Sequence, residues 1–128
     1  MSLPTSITDY FDAIRRKDRA AWLATFSDQA ALSHVDPVGA PARTSKSEIG
    51  AFWDQIHQLF AQVELTAGPA FAGGADRLAL NWHGQGTGHN GVYVEFAGID
   101  VFQLDSAGKI LSLEAYWDAP ATLSRLMP

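Results

Sequence analysis

The chain changes its hydrophobic period once, near its middle. In the first half, Ile7, Tyr10, Phe11 and Ile14 stand at i, i+3, i+4 and i+7, predicting a helix over 5–17 with one buried stripe. Asp9 and Asp12 lie off that stripe. Asp18 is placed to cap a short second helix whose inner face is Trp22, Leu23 and Phe26. Residues 30–35 read as a short strand, stopped by Asp36-Pro37-Val38-Gly39. A capping box, Ser45-Lys46-Ser47-Glu48, opens a third helix, because each end side chain can satisfy a backbone N–H of the other. Ile49, Phe52, Ile56, Leu59 and Phe60 form its buried face, and it is expected to stop near Gln62.

From Val63 onward apolar and polar residues alternate. Residues 63–71 predict a weak strand interrupted by Gly68-Pro69, and Gly73-Gly74 turns the chain. Leu78, Leu80 and Trp82 then alternate with Ala79, Asn81 and His83. Asn90-Gly91 signals a hairpin, followed by a long strand over 91–104. A turn at 105–108 leads to a last strand over 110–117, and a short helix over 120–126 closes the chain. Helices first and hairpin-linked strands after is the α+β layout. No linker, repeat or low-complexity tract divides it, so residues 1–128 read as one domain. A strongly curved antiparallel sheet wrapped on the helices leaves a cavity at its open end.

Composition narrows the function classes. With 47% hydrophobic and 18% charged residues the chain is globular, and its length allows roughly two thirds of the unfolded surface to be buried. The net charge is −5, and the one basic cluster, Arg15-Arg16-Lys17, sits where a helix dipole favours it, so nucleic acid is not an expected partner. The absence of cysteine excludes disulfides, zinc–thiolate sites and thiol catalysis. No apolar run of 18 residues occurs and the start lacks a basic then apolar leader, which makes a cytoplasmic protein that avoids membranes the expectation.

Asp100 is the most informative residue. The even positions of the long strand are Val92, Val94, Phe96, Gly98, Asp100, Phe102 and Leu104, which share one face if the strand is regular. A carboxyl group in such a stripe takes up a proton and becomes a hydrogen-bond donor. The alternatives are a bulge at Gly98 that exposes Asp100, or a buried pair with Arg43 or Arg77. Asp36 suits a type I turn first, and the second reading is a general base at a strand end beside a cavity. Tyr10, on the buried stripe, is either core or a phenol donor aimed inward. His34 and Asp36 share a strand face without a third ligand, so a metal is not expected. His57 and His83 need no more than surface or pocket-lining roles. Gly86-Thr87-Gly88-His89-Asn90-Gly91 matches the dinucleotide fingerprint G-x-G-x-x-G, but strand signals on both sides assign it to a hairpin.

In this order and spacing, Tyr10, Asp36-Pro37-Val38-Gly39, Ile99-Asp100-Val101-Phe102 and Gly108-Lys109-Ile110 leading to Ala115-Tyr116-Trp117 resemble the ketosteroid isomerases of the nuclear transport factor 2-like superfamily, near its polyketide cyclase-like, SnoaL-like branch. The resemblance spans nearly the whole chain. It implies a cone-shaped curved antiparallel sheet (nuclear transport factor 2-like, cystatin-like) packed with three N-terminal helices, and a homodimer. It implies no cofactor. By position Asp36 is the base that moves a proton on an enone, while Tyr10 and Asp100 form the oxyanion hole. Trp117, Phe52, Trp82, Phe96 and His34 are then expected around a small apolar carbonyl ligand. Phe26 and Trp53 stand where some members of the family carry further tyrosines. The superfamily also contains cyclases, dehydratases, epoxide hydrolases and non-catalytic binding modules, so a related lyase or a binding domain stays open.

Overall fold

The structure is a computed structural model that describes residues 2–39 and 41–127. The predicted first helix is α1, Thr5–Arg16, which buries Ile7, Tyr10, Phe11 and Ile14 and ends where Lys17 turns left-handed at φ 55°. Asp18 caps α2, Arg19–Leu23, by accepting the Ala21 N–H. The short strand forms over fewer residues than expected, as β1, Ser33–Val35.

Helix α3, Lys46–Leu59, starts at the capping box, with one difference. Ser45 Oγ accepts the Glu48 N–H at 3.1 Å, but Glu48 Oε1 reaches back to the Thr44 N–H at 2.9 Å, one residue before the box. The helix also ends earlier than Gln62. Phe60 turns extended and starts β2, Phe60–Ala72. Its ring lies against Gly86, where any Cβ would collide with it. The glycine of the false dinucleotide motif therefore makes room for an aromatic ring, well inside a strand.

The remaining strands are β3, Arg77–Gly88, β4, Tyr93–Leu104, and β5, Ile110–Trp117, and the chain closes with α4, Ala119–Ser124. They form one sheet in the order β1-β5-β4-β3-β2, antiparallel except where β1 runs parallel to β5. The sheet is open, not closed into a barrel. The Gly68-Pro69 interruption appears as a register shift between Ala67 and Ala70, and a second shift lies at Gln103/Leu104. Such irregularities bend a sheet. The helices fill its concave side, where Ile7, Trp22, Phe26, Ile49, Leu80, Phe102 and Leu113 form the centre of the core. A smaller cluster of Phe60, Val94 and Leu126 lies under the C-terminal helix. Among the described residues no helix is long and apolar enough to cross a membrane.

Candidate active site

Strand β4 keeps its phase throughout. Val94, Asp100 and Phe102 are buried, while Glu95, Ala97, Ile99 and Val101 are exposed. Gly98 causes no bulge, because the Trp82 ring packs where its side chain would be, so strands β3 and β4 stay paired past it. Asp100 sits opposite Leu80 and Ala115 and is 2% exposed. Neither arginine pairs with it. Arg77 lies at the exposed start of β3 opposite Gln103, and Arg43 donates to the Val38 carbonyl at 2.7 Å while its guanidinium rests 4.5 Å above the Phe52 ring. Asp100 Oδ2 has no hydrogen-bond partner among the described residues. Burial pushes its pKa up to about 7, opposed by the nearby Trp82 indole and aided by the negative field of Asp36. Near neutral pH this carboxyl therefore holds a proton much of the time.

Tyr10 reaches the same place from α1. Its ring is clasped edge-on by Phe11, Phe26 and Phe102, and Trp22 lies 5.9 Å away. Burial, then the charges of Asp100 and Asp36, hold its phenol well above the usual tyrosine range, so it stays a donor.

Asp36 makes its turn bond and also faces the cavity. Its Oδ1 accepts the Val38 N–H at 2.8 Å, which is the local turn bond. The Trp117 indole N–H also donates to it, at 3.3 Å from Oδ1 and 3.2 Å from Oδ2, across 81 residues of sequence. Burial raises the Asp36 pKa, while these two donors and the Arg43 charge pull it down.

Tyr10, Asp36 and Asp100 line one cavity of about 80 Å³ together with Phe52, Trp82, Phe96 and Trp117. Phe96 lies tilted against Trp117 with ring centroids 5.3 Å apart, and Trp82 meets both rings edge-on. Pockets that enclose drug-sized ligands run to roughly 300 Å³ or more. A ligand of steroid size is larger than this cavity, so its walls would have to move to admit one. His34 is not on this wall. It is 1% exposed, packs 4.7 Å from Phe52 and near Trp22 and Phe26, and pairs through its backbone with Arg43. Burial and the Arg43 charge bring its pKa down to about 4, so it is a neutral core imidazole.

Several wall residues were not singled out from the sequence, although His57 was given a surface or pocket-lining role. Trp53, His57 and Phe60 join Ile56 on the cavity side, with Ile14 and Trp22 opposite and Val63 and Leu65 from β2. The signal was present: Ile49, Phe52, Trp53, Ile56 and Phe60 follow the wider i, i+3, i+4, i+7 pattern of a buried arc.

A curved open sheet holding helices around such a cavity is the nuclear transport factor 2-like fold. Residues 7–113 match the SnoaL-like domain family, and the chain belongs to it. Solved structures agree. A candidate polyketide cyclase from Silicibacter sp. is 22% identical with a TM-score of 0.80, over 96% of this chain and 93% of that one. SalBIII, an epoxide hydrolase/cyclase-like enzyme of pyran ring formation in salinomycin, is 24% identical with a TM-score of 0.76, over 90% and 89%. A Mycobacterium tuberculosis protein in complex with estradiol-17β-hemisuccinate is 21% identical with a TM-score of 0.76, over 90% and 92%. No curated protein matches the chain significantly.

Proposed function

We propose that the chain is a cofactor-independent isomerase that shifts a proton on a planar, ketosteroid-like enone through a dienolate. The observation that carries this reading is the company of Asp100: a buried carboxyl with a pKa near 7 shares one apolar cavity with a buried phenol and a second carboxylate that is hydrogen-bonded. Ketosteroid isomerases are the known case of such a pairing. In the proposed step, ionised Asp36 removes a proton from the carbon between the carbonyl and the isolated double bond. The C–H electrons move toward the carbonyl, and the oxygen becomes the dienolate oxygen, held by hydrogen bonds from Tyr10 and protonated Asp100. Asp36 then returns the same proton to the far carbon of the former double bond. Base catalysis contributes about 10²–10⁴-fold and one oxyanion donor about 10²–10³-fold, so the three side chains suffice.

The narrow cavity supports a second reading, in which the same base and donors serve a smaller carbonyl substrate in a lyase or cyclase reaction. SalBIII and the Silicibacter protein share the fold and favour keeping it. A homodimer is part of the proposal: Tyr93, Ile99, Val101 and Tyr116 are exposed on the convex face and suit a sheet-to-sheet contact. The test is binding of a planar phenolic steroid, which mimics the dienolate, followed by turnover of a β,γ-unsaturated ketone. Tight binding that weakens in Tyr10→Phe and Asp100→Asn, with turnover, supports the isomerase. Binding without turnover of any carbonyl compound points to a non-catalytic binding domain.

A further inference from the structure

One titratable group on the cavity wall has no part in that chemistry. His57, near the end of α3, stacks on Trp53 with ring centroids 4.3 Å apart and 27° between planes. Its Nδ1 lies 2.8 Å from the Trp53 carbonyl oxygen. A carbonyl only accepts, so Nδ1 carries the proton and Nε2 keeps a lone pair. That Nε2 is buried and has no partner among the described residues. An acceptor buried without a donor is costly, and such atoms call for an explanation.

The other orphaned atoms around this cavity supply the contrast. Trp22 Nε1 and Trp82 Nε1 are donors, and Asp100 Oδ2 becomes one when protonated. They suit an oxygen of the ligand. While Asp100 is protonated, His57 is the one among these that asks for a donor. It also lies in a separate part of the cavity: Tyr10, Asp36 and Asp100 act electrostatically on one another, whereas His57 feels Lys17 at the end of α1, Asp54 on its own helix and His89 from the β3–β4 connection. His89 Nε2 donates to the His57 carbonyl at 2.9 Å and so leaves the His57 ring free. The nearby wall from α1, α3 and β2 is apolar, with Ile14, Ile56, Phe60 and Val63.

We propose that His57 Nε2 accepts a hydrogen bond from a hydroxyl group that the ligand carries at the end away from its carbonyl, so the cavity selects hydroxylated planar carbonyl compounds. This rests on the cavity being the ligand site described above. Ring stacking and the Trp53 bond fix the imidazole before the ligand arrives, which lowers the entropic cost of making the contact. Burial, as the largest cause, holds the His57 pKa below the usual histidine range, so the ring is neutral at pH 8.

Three phenols that differ only at the far end test this: estradiol with a hydroxyl, estrone with a ketone, and the 17-deoxy analogue with neither. At pH 8 estradiol is expected to bind about fivefold to tenfold more tightly than the other two, the worth of one hydrogen bond. His57→Phe is expected to abolish that preference while 17-deoxy binding persists. The same proteins need no substitution for a second readout. As pH falls through the titration of His57, Nε2 becomes a donor and the preference passes to estrone; the ratio between ligands cancels changes at Asp36 and Asp100. Equal binding of the three at pH 8, or a hydroxyl preference retained in His57→Phe, overturns this inference alone. Failure of all three to bind overturns it together with the reading of the cavity.

Discussion

Two aspartates face the same cavity in opposite circumstances. Asp36 stands on a turn, with a backbone N–H, an indole N–H and a guanidinium charge all favouring its ionised form. Asp100 stands in the middle of a central strand, buried among side chains that offer its Oδ2 no partner. Burial raises both, but Asp36 has two hydrogen bonds and the Arg43 charge to set against it, whereas Asp100 has only the Trp82 indole. The chemistry of a carboxyl group is thus decided by which element carries it. A loop can turn its own amides toward a charge, whereas a strand has committed its amides to the ladder. In the proposed mechanism this difference makes a base and a proton-bearing donor from one residue type.

Asp36→Asn should break the comparison most severely. It removes the base and keeps the shape, so turnover of a β,γ-unsaturated ketone is expected to fall by about 10³-fold or more, with binding of a phenolic steroid retained. Asp100→Asn tests the other side through stability. The folded-state pKa of about 7 lies above the ordinary 3.8, so the native state holds an extra proton between those values. The stability this group contributes is therefore full below about pH 4 and is lost as pH rises through about 7. Relative to the wild type, Asp100→Asn is expected to gain about 2–3 kcal/mol between pH 5 and pH 8, measured by urea denaturation at each pH. Trp117→Phe should sharpen the contrast more gently. Without the indole N–H the Asp36 pKa rises further, and the acid limb of the rate profile moves to higher pH, with a loss of about twofold to tenfold on that limb. Arg77→Gln is the control: it faces away from Asp100 and is expected to leave both carboxyls and the rate unchanged.

Much of this was legible in the sequence because it depends on local period. The α1 stripe placed Tyr10 inside, and strict alternation along β4 placed Asp100 on the buried face with Phe102. What was not legible depends on distant partners. Gly98 signals a bulge or a regular strand equally well until the Trp82 ring is seen over it. Turn preference explained Asp36 so well on its own that the bond from Trp117, 81 residues away, left no local trace. The helical period ran on toward Gln62, whereas Phe60 turns extended after Leu59 and lays its ring against Gly86, a partner 26 residues away. Arg43 could have neutralised Asp100 on composition alone; topology instead places it beneath the Asp36 turn, beside His34.

The central claim is that the two cavity carboxyls divide the work, Asp36 ionised and Asp100 protonated. It is tested most directly by following the side-chain carboxyl carbons of labelled aspartates by NMR from pH 3 to pH 9, assigned with Asp36→Asn and Asp100→Asn. The account predicts that the Asp100 resonance titrates last, near pH 7, and moves to lower pH when Asp36 is neutralised. An Asp100 that titrates near the ordinary 3.8, or an Asp36 that holds its proton after Asp100 has lost its own, would contradict it.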